Sequence, residues 1–106
     1  MRPTARRRVR FPVFAAIQQA SLPALKTLLC SWLPNGRREG DEWVAFNPRR
    51  TDRTLGSFKV NIRTGQWADF ATGDKGGDAI SLLAYLKGLS QADAACRLAQ
   101  ELRVRL

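Results

Sequence analysis

The sequence predicts an α+β domain in which about four helices pack on a small three-stranded antiparallel sheet. Three observations predict it. Phe58, Val60 and Ile62 alternate with Lys59, Asn61 and Arg63, the period of two of a half-buried strand. Thr64-Gly65 then turns the chain into a return strand over residues 66–70. On either side of this hairpin the apolar residues recur at three and four, the period of helices. Strands grouped between helices, rather than alternating with them, place the helices on one face of the sheet.

In chain order, residues 1–12 form a basic, flexible tail with few apolar positions, and residues 13–106 form one domain. A short helix is expected over residues 13–20. Ser21-Leu22-Pro23 restarts a second one, with Pro23 in its first turn, where a missing N–H costs nothing. Leu25, Leu28, Leu29, Trp32 and Leu33 give that helix a continuous apolar face until Pro34-Asn35-Gly36 ends it. Residues 37–41 read as a charged loop, and Trp43-Val44-Ala45-Phe46 as a strand closed by Asn47-Pro48. A basic loop with Arg49, Arg50 and Arg53 leads into the hairpin. Gly73-Asp74-Lys75-Gly76-Gly77 then breaks the sheet pattern, Asp78 caps a helix running to Lys87, and Gly88 suits a left-handed C-terminal cap. Ser90, with Asp93 three residues on, opens a last helix whose expected apolar face is Ala92, Ala95, Cys96, Ala99 and Leu102.

The charge is lopsided. The chain has 18 Lys and Arg against 9 Asp and Glu, a net charge of +9 and a pI near 11.1. Residues 1–64 hold 13 of the cations against 4 acids, whereas residues 65–106 balance at 5 and 5. Five arginines, Arg7 and Arg8 among them, stand in the first ten residues. Such asymmetry fits a polyanion, because neutralising phosphates releases condensed counterions; a solubilising tail is the plainer alternative. Cys30 and Cys96 stand far apart, each on the apolar face of an expected helix, and read as small core residues of a reducing cytoplasm. Gln18, Gln19, Pro23 and Lys26 interrupt the apolar stretch that follows the tail, so neither a signal segment nor a membrane span is expected.

The residue inventory argues against catalysis. The chain has no histidine, hence no ordinary general base and no zinc-binding pattern. Asp69, Asp74 and Asp78 gather near the glycine knuckle, but Asp78 reads as a cap and Asp69 as a partner for an arginine, so no metal or other cofactor is expected. The knuckle follows a strand and opens a helix, as a phosphate loop does, yet lacks the Gly-Lys-Ser/Thr ending. A surface carries more. Lys59, Asn61 and Arg63 project from one hairpin face, the loop with Arg49, Arg50 and Arg53 runs into the same strand, and Lys75 stands on the knuckle. Trp67 either joins that face as a stacking platform or packs into the core.

With these residues in view, the chain resembles the N-terminal zinc-ribbon domain of bacterial, phage and plasmid DNA primases. The corresponding pieces are Asn47-Pro48, Gly56-Ser57-Phe58-Lys59-Val60, Asp69-Phe70-Ala71-Thr72-Gly73 and Gly76-Gly77-Asp78-Ala79-Ile80. They match in order across about residues 41–102. The family's metal-ligand positions would fall near Asn47, Thr51, Asp69 and Thr72, none of them a cysteine or histidine. The resemblance therefore implies a degenerate ribbon without its metal, held by packing of Trp43, Phe46, Phe58, Trp67 and Phe70. It further implies single-stranded DNA binding in replication or priming of a plasmid, phage or other mobile element. It does not imply polymerisation, because the acidic catalytic domain of that family is not in this sequence. The expected contacts are Arg49, Arg50, Arg53, Lys59, Asn61, Arg63 and Lys75 along the backbone, Trp67 for stacking, and Arg7 and Arg8 for non-specific affinity. The alternative is a subunit that docks on a primase, helicase or polymerase through the helical face of residues 25–33 or the last helix.

Overall fold

A computed structural model describes residues 11–49 and 56–104. The elements follow as α1 (Phe11–Trp32), β1 (Arg37–Glu39), β2 (Glu42–Ala45), β3 (Phe58–Asn61), β4 (Trp67–Asp69), β5 (Lys75–Gly76), α2 (Ala79–Lys87) and α3 (Gln91–Leu102). The five strands form one antiparallel meander in chain order. The α+β class is as expected, with three helices and five strands among the described residues where about four and three were expected.

The first two expected helices are one. Pro23 lies inside α1, where it removes an N–H and would ordinarily break the helix. Ile17, Ser21, Leu25, Leu28 and Leu29 form a single buried stripe across that point, so both halves are anchored to the same core. The Ser21 hydroxyl donates to the Gln18 carbonyl at 2.7 Å in the turn ahead of the proline. The stretch Val13–Trp32 is thereby long and apolar enough to cross a membrane by length and composition, contrary to expectation; its inward stripe belongs to the core of this fold.

The two additional strands come from segments with no apolar alternation. Residues 37–39, expected as loop, pair with β2 through Arg37↔Val44, Arg38↔Trp43 and Glu39↔Glu42, leaving Gly40-Asp41 as a two-residue hairpin turn. An edge strand wet on both faces has no reason to alternate, and its charges discourage pairing with another chain. Within the glycine knuckle, Lys75–Gly76 pairs with β4 through Trp67↔Gly76 and Ala68↔Lys75.

The inner face of the sheet carries Trp43, Ala45, Phe58, Val60 and Trp67, packed with Leu25 and Leu29 of α1, Ile80 and Leu83 of α2 and Leu98 of α3. The expected caps form. Asp78 accepts from the Ser81 N–H at 2.8 Å, Gly88 adopts φ 67°, and the Ser90 hydroxyl accepts from the Asp93 N–H at 3.1 Å. The apolar face of α3 is rotated from the expected one: Ala94, Ala95, Leu98 and Ala99 are buried, and Ala92, Cys96 and Leu102 only partly so. Cys30 is exposed rather than in the core.

Gly36 shows how tightly the tryptophans are seated. A Cβ there would collide with the Trp43 indole, whose Nε1 donates to the Leu33 carbonyl at 3.1 Å. Gly36→Ala is expected to cost about 1–3 kcal/mol through overpacking, read as a lower urea midpoint with an unchanged slope.

Candidate nucleic-acid interface

The outward face of the sheet follows from register. Arg37, Val44, Lys59, Ala68 and Lys75 are successive cross-strand partners, one from each strand, so three cations stand in one row across the sheet. Beside it runs a polar row of Glu39, Glu42 and Asn61, with Gln66 next to Asn61 through the Asn61 N–H to Gln66 carbonyl bond of 2.7 Å. On the other side stands Phe70, a residue 72% exposed, whose N–H donates to the Ser57 carbonyl at 2.8 Å. Phe70 is the most exposed of the large hydrophobic residues described, and it stands on a face whose other side chains are mainly polar and charged.

Between these rows lies an open groove of about 310 Å³, lined by Glu42, Lys59, Asn61, Gln66, Phe70 and Lys75, with Ala68, Gly76 and the edge of Trp67 completing it. The Lys59 Nζ lies 5.9 Å from the centroid of the Phe70 ring and 3.8 Å from Glu42 Oε1, so it bridges the aromatic and the acid. Lys75 is exposed and, among the described residues, has no carboxylate within 4 Å. The Asn61 side-chain oxygen accepts from the N–H groups of Arg63 and Thr64 at 2.8 and 3.1 Å, which pins the side chain and leaves its amino group as donor.

The structure thus brings together Lys59, Asn61 and Lys75 of the expected contacts and separates the others. Trp67 is 6% exposed: its ring packs 4.6 Å from Tyr85 and 5.9 Å from Phe58, centroid to centroid, and its Nε1 donates to Ser81 Oγ at 3.0 Å. It therefore cannot be the stacking platform. The register Val60↔Trp67 puts it on the core face, and the same alternation sends Gln66, Ala68 and Phe70 outward. Phe46 and Phe70, both expected to help hold the core, are exposed instead, Phe70 by far the more. Arg63 sits in the β3–β4 turn, 3.7 Å from Asp41, outside the groove. Arg49 turns toward α2, its guanidinium 5.3 Å from the Tyr85 ring centroid and Nη1 donating to the Tyr85 carbonyl at 2.8 Å. Arg7, Arg8, Arg50 and Arg53 lie outside the described residues.

Behind Phe70 a buried polar network holds the loops. Asn47 and Asp69 are 1% and 0% exposed, and Asn47 Nδ2 donates to Asp69 Oδ2 and to the Tyr85 hydroxyl, each at 2.8 Å. The hydroxyl in turn donates to Asp74 Oδ2 at 2.7 Å. Asn47 Oδ1 accepts from the Arg49 N–H, and Asp69 Oδ1 from the Ala71 N–H, both at 2.8 Å. Every polar atom of the Asn47 side chain is satisfied. Burial pushes the Tyr85 phenol above its ordinary value of 10.0, the bond from Asn47 opposes that, and Asp74 adds to it; the phenol stays protonated and can donate. Asn47 and Asp69 are two of the positions that the resemblance assigns to metal ligands. A direct hydrogen bond joins them here, the Thr72 N–H reaches the Asp69 carbonyl at 3.2 Å, and Thr51 lies outside the described residues. Among the described residues no three His, Cys, Asp or Glu side chains gather as a metal site would require. No protein-family model matches the chain, and no curated protein matches it in sequence.

Proposed function

We propose that this chain is a non-catalytic, cytoplasmic module that binds single-stranded DNA during replication or priming of a plasmid, phage or other mobile element. The observation that carries the reading is Phe70 standing exposed beside Lys59 and Lys75 over an open groove. A bare aromatic accepts the face of any unpaired base, and lysines on either side neutralise the backbone that continues past it. A duplex keeps its bases stacked on each other and offers Phe70 no such face. The replicative setting rests on the primase-ribbon resemblance alone; in that reading the Asn47–Asp69–Tyr85 hydrogen bonds hold the loops where the family's metal would lie. The basic N-terminal part, with Arg7 and Arg8, adds sequence-independent attraction.

Fluorescence anisotropy with labelled single-stranded and duplex DNA over a salt series tests this. Single strands are expected to bind more tightly than duplex. The double variant Lys59→Ala/Lys75→Ala should weaken binding and make the plot of log affinity against log salt shallower by up to about 1.4, at roughly 0.7 per single-strand phosphate contact. An unchanged salt dependence in that variant would remove both lysines from the interface.

A second reading, docking on a primase, helicase or polymerase, has one feature in its favour. A mainly apolar pocket of about 160 Å³ lies between the C-terminal end of α1 and the sheet, lined in part by Trp32, Pro34, Phe46 and Pro48. The face formed by Leu25, Leu28, Leu29 and Leu33 is buried in the domain and cannot serve. Co-purification of a replication protein together with no affinity for DNA would favour this reading.

A further inference from the structure

We infer that the outer groove is a subsite for one unpaired base and that it selects guanine. This rests on the single-strand reading and adds to it the identity of the base. Along β4 and its flanks, Gln66 and Phe70 are four residues apart, about 13 Å at roughly 3.3 Å per residue, with only the Ala68 methyl between them on the outward face. That gap leaves a nucleobase room to lie across Ala68, with its sugar and phosphate toward Lys75 and its hydrogen-bonding edge toward Glu42 and Asn61.

The chemistry of that far wall is specific. Glu42 and Asn61 are direct cross-strand partners on the same face, so their side chains leave the sheet side by side. Glu42 offers a carboxylate, two acceptor oxygens in one plane. Asn61 has its oxygen held by the N–H groups of Arg63 and Thr64, so its amino group is the end that remains to act, a donor. An acceptor pair beside a donor matches the Watson–Crick edge of guanine, where N1–H and the N2 amino group stand together next to the O6 acceptor. Adenine presents one amino donor beside an acceptor nitrogen, cytosine one amino donor beside two acceptors, and thymine a single N–H between two carbonyls. None offers two adjacent donors to a carboxylate. Lys59, 3.8 Å from Glu42, supplies the cation that keeps a carboxylate tolerable in a groove meant for a polyanion.

The edge in question is sealed inside a base pair, so the subsite works only on an unpaired strand. An acid at a nucleic-acid interface weakens attraction to every phosphate, and selectivity among bases is the return for that loss.

The test uses the full chain and five labelled oligothymidylates that differ only at the central position: guanine, hypoxanthine, adenine, cytosine or thymine. The guanine oligomer is expected to bind about fivefold or more tighter than the adenine, cytosine and thymine ones. Hypoxanthine, which lacks the N2 amino group, should fall between. Glu42→Gln should bring the guanine and thymine oligomers to the same affinity while tightening the thymine one, since a negative charge has gone. Equal affinity of the wild-type chain for all five would overturn the guanine subsite and leave single-strand binding standing. A guanine preference that survives Glu42→Gln would overturn the assignment of Glu42. Failure to bind any of the five would overturn the single-strand reading and this one with it.

Discussion

Phe70→Ala is expected to weaken single-stranded DNA binding by about 5- to 150-fold while leaving the stability of the domain within about 0.5 kcal/mol. The first figure is the loss of one base–aromatic stack, about 1–3 kcal/mol at 1.4 kcal/mol per tenfold. The second follows from exposure: a residue 72% open to solvent loses little buried area when truncated. Phe70→Trp should hold or improve affinity, since the larger ring keeps the platform. The same experiment at Trp67 should give the opposite result. Trp67 is buried against Phe58 and Tyr85, so Trp67→Ala is expected to cost about 3–5 kcal/mol in stability before any DNA is added. Urea titration beside anisotropy separates the two variants. If Phe70→Ala binds single strands as the wild-type chain does, the outward aromatic is not a platform and the proposed interface fails.

Asp69→Ala should be the most damaging single polar change in the domain, at about 2–5 kcal/mol. It strips a carboxylate that accepts from Asn47 Nδ2 and from the Ala71 N–H, and each donor left unsatisfied in the interior costs about 1–3 kcal/mol. Against a total stability of about 5–15 kcal/mol for a domain of this size, that is a large fraction. Asp69→Asn should be milder, because one amide oxygen can still serve one of the two donors while its NH₂ faces the other. The loss should also reach function, since Asp69 immediately precedes Phe70 and its carbonyl accepts the Gly73 N–H at 2.8 Å, closing the loop that presents the ring. A urea midpoint for Asp69→Ala equal to that of the wild type would show that the network is dispensable.

The patterns readable in the sequence were those that depend on near neighbours. Alternation of Phe58, Lys59, Val60 and Asn61 determined β3 and which of its residues face outward. Asp78, Gly88 and Ser90 determined where α2 ends and where both C-terminal helices begin, because a cap is a local geometry. The strand alternation placed Lys59 and Asn61 on one face, with Arg63 beside them and Lys75 apart on the knuckle, and the +9 charge fits a polyanion. The folded sheet instead brings Lys75 to Lys59 and Asn61 and leaves Arg63 in the turn. Tertiary structure decided what local pattern leaves open. Pro23 breaks a helix unless both flanks are held to one core, as Ile17 and Leu25 are. The strands at residues 37–39 and 75–76 exist because a neighbour supplies their hydrogen bonds, with no apolar face of their own to announce them. Trp67 and Phe70 exchanged roles for the same reason: both belong to one short alternating segment, and only pairing with Val60 determines which of its two faces meets the helices. Asn47 and Asp69, 22 positions apart, became a pair only when the folded sheet brought them within 2.8 Å, where burial makes their hydrogen bond a structural requirement.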